Sequence, residues 1–202
     1  VQCDGYKVYD NIAKAKPSIT LLGCLAHARR YFEKAKDSDA ERSHWVLSQI
    51  QTVYRKEAAC RDGTMEERQK VRTEEILPIL EQIHSRCLSD YENVLPKSLI
   101  GKAMYYYNAQ WKKIKAAAEN PRFQLDNNLI ENQIRPLALG RKNFLFAGSH
   151  EGAQNIAMLY SLLLTCKQRG INEMVWLKET LEKISSYPVN RIYELLPGES
   201  PL

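Results

Sequence analysis

From about Asp37 to Asn120 the chain is written in helical period almost without a break, and that long stretch limits what can be built around it. Trp45, Ile50, Val53 and Tyr54 recur at helical spacing. Thr64-Met65-Glu66-Glu67 has the form of a capping box and opens a second, charged helix. Ile76, Leu80, Ile83 and Cys87 form the apolar stripe of that helix. Pro78 is expected to kink or divide it, because proline donates no N–H and its ring crowds the preceding turn. After Leu95-Pro96-Lys97-Ser98 a third helix carries Met104, Tyr107, Trp111 and Ile114 on one side and Lys102, Lys112, Lys113 and Lys115 on the other. Aromatics at this spacing read as core rather than as a base-stacking platform, and the lysines as a solvated face.

The flanks are written differently. Val1 to Cys3 read as the end of a strand that Asp4-Gly5 turns away, and a short helix follows from about Tyr6 to Ala15, before Pro17. Ile19-Thr20-Leu21-Leu22 suits a buried strand, and a helix then runs from Cys24 to about Lys36. Strand, helix, strand, helix indicates an α/β unit over residues 1–37, interrupted by a helical insertion over 38–120. Residues 121–150 are expected to return to the first unit, and 151–202 to form C-terminal helices and a tail. A helix from about Asn128 to Arg135 is expected to be followed by a basic turn and a short extended aromatic piece within Gly140–Ser149. Ser149 can cap the next helix, which Leu162-Leu163-Leu164 would bury on most sides and Gly170 would end. A last amphipathic helix, about Asn172 to Ser185, uses Met174, Leu177, Leu181 and Ile184.

Composition narrows the function classes. With 202 residues the chain can bury one core, or one core plus an inserted subdomain. Its five cysteines are odd in number, scattered and without a Cys-x-x-Cys pair, which argues against a disulfide framework and a four-cysteine zinc site. A formal charge of +5 leans weakly towards an anionic partner. No run is long enough to span a bilayer and no signal-peptide pattern opens the chain, so the reading is a cytoplasmic protein with no membrane partner.

The densest polar segment is Asp126-Asn127-Asn128-Leu129-Ile130-Glu131-Asn132-Gln133-Ile134-Arg135-Pro136, with Arg141-Lys142 close behind. In a helix, Glu131 and Arg135 stand one turn apart on one face, a carboxylate beside a fixed cation. Asn128 could instead be an N-cap, with Glu131 closing a capping box and no catalysis implied. Asp4, where a strand ends in a Gly-containing turn, is a second candidate acid. Carboxylates gathered around a pair of Mg²⁺ ions are the standard apparatus for phosphodiester cleavage and strand transfer. Arg135, Arg141 and Lys142 cluster beside the acid and are the candidates for phosphate contacts.

Taken in order, Asp4-Gly5-Tyr6, Cys24-Leu25-Ala26-His27-Ala28-Arg29-Arg30, Asp126-Asn127-Asn128 with Glu131 and Arg135-Pro136, and Gly140-Arg141-Lys142-Asn143-Phe144-Leu145-Phe146-Ala147-Gly148-Ser149 resemble the insertion sequence 66 family of bacterial DDE transposases. Arg191-Ile192-Tyr193-Glu194-Leu195-Leu196-Pro197 is similar to that family's short C-terminal signature. The resemblance implies a fold that is α/β but mostly helical: an incomplete ribonuclease-H-like core interrupted by an all-helical insertion, with C-terminal helices. It implies Asp4 and Glu131 as catalytic metal ligands, the second and third acids of a triad, with Mg²⁺ or Mn²⁺ as cofactor. Only Val1, Gln2 and Cys3 precede Asp4, so the chain reads as a C-terminal portion lacking the first acid and inactive alone. Transposon-end and target DNA are the implied partners, with a homo-oligomer in the active complex. Cys24 and His27 resemble the family's Cys-x-x-His motif; two further zinc ligands are missing at nearby spacing, so they are read, with Asn128, as supporting residues behind the acids. The chain departs from the pattern at Asn132, where family members commonly carry Arg. The alternative reading is a non-catalytic DNA-binding or assembly module derived from a transposase.

Overall fold

The computed structural model describes residues 1–198, so the end of the expected 151–202 segment lies outside the described residues. The chain divides into two units, Val1–Leu129 and the part from Ile130 onward.

In the first unit β1 (Gln2–Cys3) leads into α1 (Lys7–Ala15), then β2 (Leu22–Gly23) and α2 (Leu25–Ala35). The strands pair in parallel, Gln2 opposite Leu22 and Cys3 opposite Gly23. The order of elements follows the sequence reading, but the ribonuclease-H-like core does not: this two-stranded pair is the whole sheet among the described residues. The ladder stops for local reasons. Gly5, at φ +89°, turns the chain away after Cys3, and Cys24 after Gly23 already stands at the head of α2. Ahead of the pair only the ends touch, Val1 N donating to Thr20 O at 2.7 Å and Leu22 N to Val1 O at 2.9 Å, so Ile19–Leu21 does not extend the strand.

Helices do the rest. They are α3 (Ala40–Ala59), α4 (Met65–Val71), a π-helical turn (Arg72–Ile76), α5 (Leu77–Tyr91) and α6 (Leu99–Glu119). Thr64 forms the expected capping box with Glu67. The division expected at Pro78 takes the form of the π turn: Leu77 N reaches back to Arg72 O, one residue further than in an α-helix. The next residue, Pro78, has no N–H to resume the α pattern. The core lies where α2, α3, α5 and α6 meet. Phe32, Ile50, Val53, Ile76, Leu80, Ile83, Cys87, Met104 and Tyr107 are buried there, with Trp45, Tyr54 and Trp111 packed partly buried against it. Two of the four lysines on α6 are paired rather than only solvated, Lys113 with Asp10 at 2.6 Å and Lys115 with Glu81 at 2.8 Å. The sheet packs on α6 at Gly23, where an added Cβ would come within 2.8 Å of Ile114 Cγ1.

α7 (Asn128–Phe144) starts at the end of the first unit and continues into the second, which also holds α8 (His150–Gln168), α9 (Glu173–Ile184) and a 3₁₀ turn (Val189–Leu195). The expected basic turn at Gly140–Lys142 is helical, and within Gly140–Ser149 the chain leaves helix over residues 145–149. Pro136 is carried inside α7. An interior proline costs about 3 kcal/mol, and beside it Ile134, Leu137, Ala138 and Phe144 line an open apolar groove with Ile156 and Ala157 of α8. Ser149 caps α8, and Gly170, at φ +68°, ends it while Ile171 N donates to Cys166 O at 2.9 Å. Contrary to the reading that α8 is buried on most sides, Met158 is 61% and Leu159 53% exposed, and Leu162–Leu164 are only partly covered. A run of leucines is read as buried by its hydrophobicity, but a unit of three helices cannot surround one of them. Trp176 Nε1 donates to Leu195 O at 3.0 Å, fastening the 3₁₀ turn to α9.

Candidate functional site

Asp4 sits immediately after β1, on the surface. Its Oδ1 accepts from Tyr6 N at 3.1 Å, an Asx turn that fixes the side chain against its own backbone and leaves Oδ2 directed elsewhere. Its carbonyl accepts from the Tyr106 hydroxyl at 2.6 Å. The Tyr106 ring stacks on Tyr31 at 4.4 Å between centroids. Gly5 is required next: besides its positive φ, a Cβ there would lie 2.9 Å from Gln110 Nε2.

Cys24 is 1% exposed, and burial holds its thiol above the ordinary pKa, against backbone hydrogen bonds from Asn127 and His27 that favour the thiolate. A buried neutral thiol is a packing group rather than a nucleophile. His27, one turn into α2, is partly buried and has Nε2 3.1 Å from Arg30 Nη1. Among the described residues no group of three His, Cys, Asp or Glu gathers as a ready metal cage.

The approach to α7 is fastened more firmly than the sequence announced. Leu25 N donates to Leu125 O at 2.9 Å, and Gln2 Nε2 donates to Gln124 O at 3.0 Å. Asp126 then makes two contacts: Oδ1 accepts from Asn128 N at 3.0 Å and Oδ2 from the Tyr54 hydroxyl at 2.8 Å. Burial first, and then the Asp126 charge, push the Tyr54 hydroxyl pKa up, so it remains a protonated donor. Asp126 therefore organises the start of α7, and Asn128 is the helix's first residue rather than its cap. Asn128 also borders a polar cleft between α2 and α3, edged by Arg29, Lys36, His44 and Gln51.

Glu131, Arg135, Arg141 and Lys142 all lie on α7. At about 100° per residue, Glu131, Arg135 and Lys142 fall within roughly 40° of one another around the axis, and Arg141 about 80° away. The three cations are exposed, and Arg135 shares a shallow groove with Asn132, Leu164 and Lys167. One face of α7 thus carries an acid followed at one and three turns by cations. Asp4 and Glu131 each present a carboxylate, the hard oxygen donor that Mg²⁺ takes, and the cations on α7 have the sign that phosphate oxygens attract.

Sequence reasoning missed Asp126 and Tyr54 as functional groups, and it missed a buried cluster around Glu57. Arg72, fully buried, donates to Glu57 Oε1 at 2.6 Å and Oε2 at 2.9 Å, and to the carbonyls of Ala117, Asn120 and Phe123 at 3.1, 2.6 and 2.8 Å. Arg68 Nε adds a bond to Glu57 Oε1 at 2.9 Å. The arginines thus clamp the segment leading to Asp126. Acids and bases spaced around charged helices carried no signal for this.

Residues 1–155 match the family described as Transposase IS66 family, and residues 161–197 match the IS66 C-terminal element. Among curated proteins of Sinorhizobium fredii (strain NBRC 101917 / NGR234), the chain is 31% identical to uncharacterized protein y4jD over 98% of its own length and 40% of the relative's. It is 32% identical to uncharacterized protein y4hP, over 98% of the chain and 39% of the relative. The chain therefore spans about two fifths of the length of these relatives. No solved structure matches.

Proposed function

The chain belongs to the IS66 family of transposases, and from that premise we propose that it carries part of the machinery that cuts insertion-sequence ends and joins them to target DNA. The observation that carries this reading is the family match, which runs through every motif named above from Asp4 to Ser149. Asp4 and Glu131 are assigned as metal ligands, and Mg²⁺ or Mn²⁺, when bound, supplies the positive charge that activates a hydroxyl and steadies the leaving oxygen. Arg135, Arg141 and Lys142 contact DNA phosphates from α7. Cys24, His27 and Asn128 support the acid-bearing segments by packing. DNA is the partner, and the active complex is a homo-oligomer acting in the bacterial cytoplasm. No helix of the described residues is long and apolar enough to cross a membrane.

The chain's own groups do the holding. The Asx turn at Asp4 fixes one carboxylate oxygen on the backbone and leaves the other to bind. The cations on α7 neutralise phosphate where strand ends must approach an acid of the same sign. Glu131→Gln removes the charge and little of the shape, so in a transposase carrying this chain it should abolish strand transfer while leaving DNA binding intact. Strand transfer at the unmodified rate in that variant would show the acid to be misassigned. DNA binding without any divalent-ion-dependent strand transfer in the unmodified protein would favour the non-catalytic module instead.

A further inference from the structure

Two tyrosine hydroxyls reach from the helical region to the two acid-bearing segments. Tyr106, on α6, donates to the Asp4 carbonyl at 2.6 Å across 102 positions of sequence. Tyr54, on α3, donates to Asp126 Oδ2 at 2.8 Å across 72 positions. Neither bond closes a helix or a turn, and each joins a helix to an irregular segment at the residue next to its turn or helix start. Tyr106 is braced by its stack on Tyr31, and one turn further along α6 Gln110 packs on Gly5 while Lys113 pairs with Asp10 of α1. Tyr54 is packed against the core, so its hydroxyl has a fixed origin. Asp126 passes that constraint to the first turn of α7 through Asn128 N.

We propose that Tyr106 and Tyr54 are positioning residues, the first setting the Asp4 turn and the second setting the start of the helix that carries Glu131. The inference rests on the reading of Asp4 and Glu131 as metal ligands. Ligand placement is sensitive to such supports: losing a hydrogen bond behind a metal ligand typically costs about 10–100-fold in metal affinity.

The test uses the full chain with Tyr54→Phe, Tyr106→Phe and the double variant, each losing one oxygen per site and little shape. Tyr105→Phe, on α6 and 63% exposed, is the control, and Asp4→Asn and Glu131→Gln are the references. Mn²⁺ binding is read from the electron paramagnetic resonance of free Mn²⁺, and amide exchange at Tyr6 and Asn128 reports the two turns. The expected result is faster exchange at Tyr6 in Tyr106→Phe and at Asn128 in Tyr54→Phe, with Mn²⁺ affinity about tenfold or more weaker in each and unchanged in Tyr105→Phe. Unaltered Mn²⁺ affinity in the Phe variants, with a clear loss in Asp4→Asn and Glu131→Gln, overturns this inference and leaves the metal reading standing. Faster exchange without a change in affinity makes the tyrosines structural braces only and overturns it too. Mn²⁺ binding that is absent, or the same in the reference variants as in the unmodified chain, overturns the metal reading and this inference with it.

Discussion

Arg72→Met should be among the most damaging single substitutions in the first unit. Arg72 is 0% exposed and makes five hydrogen bonds, two to Glu57 and three to main-chain carbonyls. Methionine keeps most of the stem's apolar packing but leaves Glu57 with Arg68 as its remaining buried cation and the three carbonyls without this donor. Breaking a buried ion pair by removing one partner costs about 3–5 kcal/mol, and an orphaned buried acceptor about 1–3 kcal/mol unless water reaches it. Asn120 and Phe123 sit in a partly exposed segment where water can substitute, so the ion-pair cost dominates: about 3–5 kcal/mol, or roughly 10–20 °C in melting temperature for a unit of this size. Urea unfolding followed by tryptophan fluorescence reads this directly, because Trp45 and Trp111 both pack on the core of that unit. Lys56→Met is the matched control. Its partner Glu75 is 45% exposed, so less than about 1 kcal/mol should be lost. A loss below about 1 kcal/mol in Arg72→Met would falsify the claim that this cluster holds the unit together.

The same cluster has a pH signature. Burial alone would raise the Glu57 pKa, but hydrogen bonds from Arg72 and Arg68 outweigh it and hold the carboxyl below its ordinary value. A lowered folded pKa means the unfolded chain takes up the proton first as pH falls. The contribution is therefore complete above the unfolded Glu value, about 4.3, and is lost as pH drops through the folded one. In Arg72→Met the carboxyl is released from its strongest donor, so the acid-side fall in stability should become shallower. Equal acid-side slopes for the two proteins would sink the electrostatic part of the argument.

Gly23→Ala places a Cβ 2.8 Å from Ile114 Cγ1 and 2.9 Å from Ile114 N, and overpacking against backbone should cost about 1–3 kcal/mol in thermal unfolding; an unchanged melting temperature would mean β2 can back away from α6. Replacing Arg135, Arg141 and Lys142 by alanine one at a time should weaken DNA binding and lower the slope of log affinity against log salt by about 0.9 for each phosphate that is no longer neutralised, and an unchanged slope removes that residue from the interface.

What the sequence made legible was periodic or local. The stripe Ile76, Leu80, Ile83 and Cys87 is buried throughout, and Thr64, Ser149 and Gly170 cap as their residue types require. Whatever depended on packing between distant segments was not legible. The helix expected to end at about Arg135 continues through Pro136 to Phe144, because the local cost of a proline does not by itself fix where a helix stops. Glu57 and Arg72 carried no signal because nothing local marks two charged residues on separate helical elements as buried partners. The ribonuclease-H-like sheet came from resemblance, and the strand signals here support only two rungs. Asp4 and Glu131 stood out as motif members, yet the tyrosines reaching Asp4 and Asp126 resembled any other half-buried aromatic.

The hidden bonds share a direction, which bears on why a transposase would carry so long a helical stretch. Arg72 grips Asn120 and Phe123, Tyr54 grips Asp126, and Tyr106 grips Asp4, each from a helix between Ala40 and Glu119. A stretch that served only as a DNA-binding appendage would need no bonds back to the segments on either side of it. Three independent attachments, at least one of them buried at full charge, are expensive to build and rigid once built. On the proposal that Asp4 and Glu131 bind metal, rigidity there matters because an error of about 1 Å in a reacting group can cost roughly a hundredfold in rate. The helical region is therefore better understood as the frame that fixes the Asp4 turn and the head of α7 than as an insertion those segments merely tolerate.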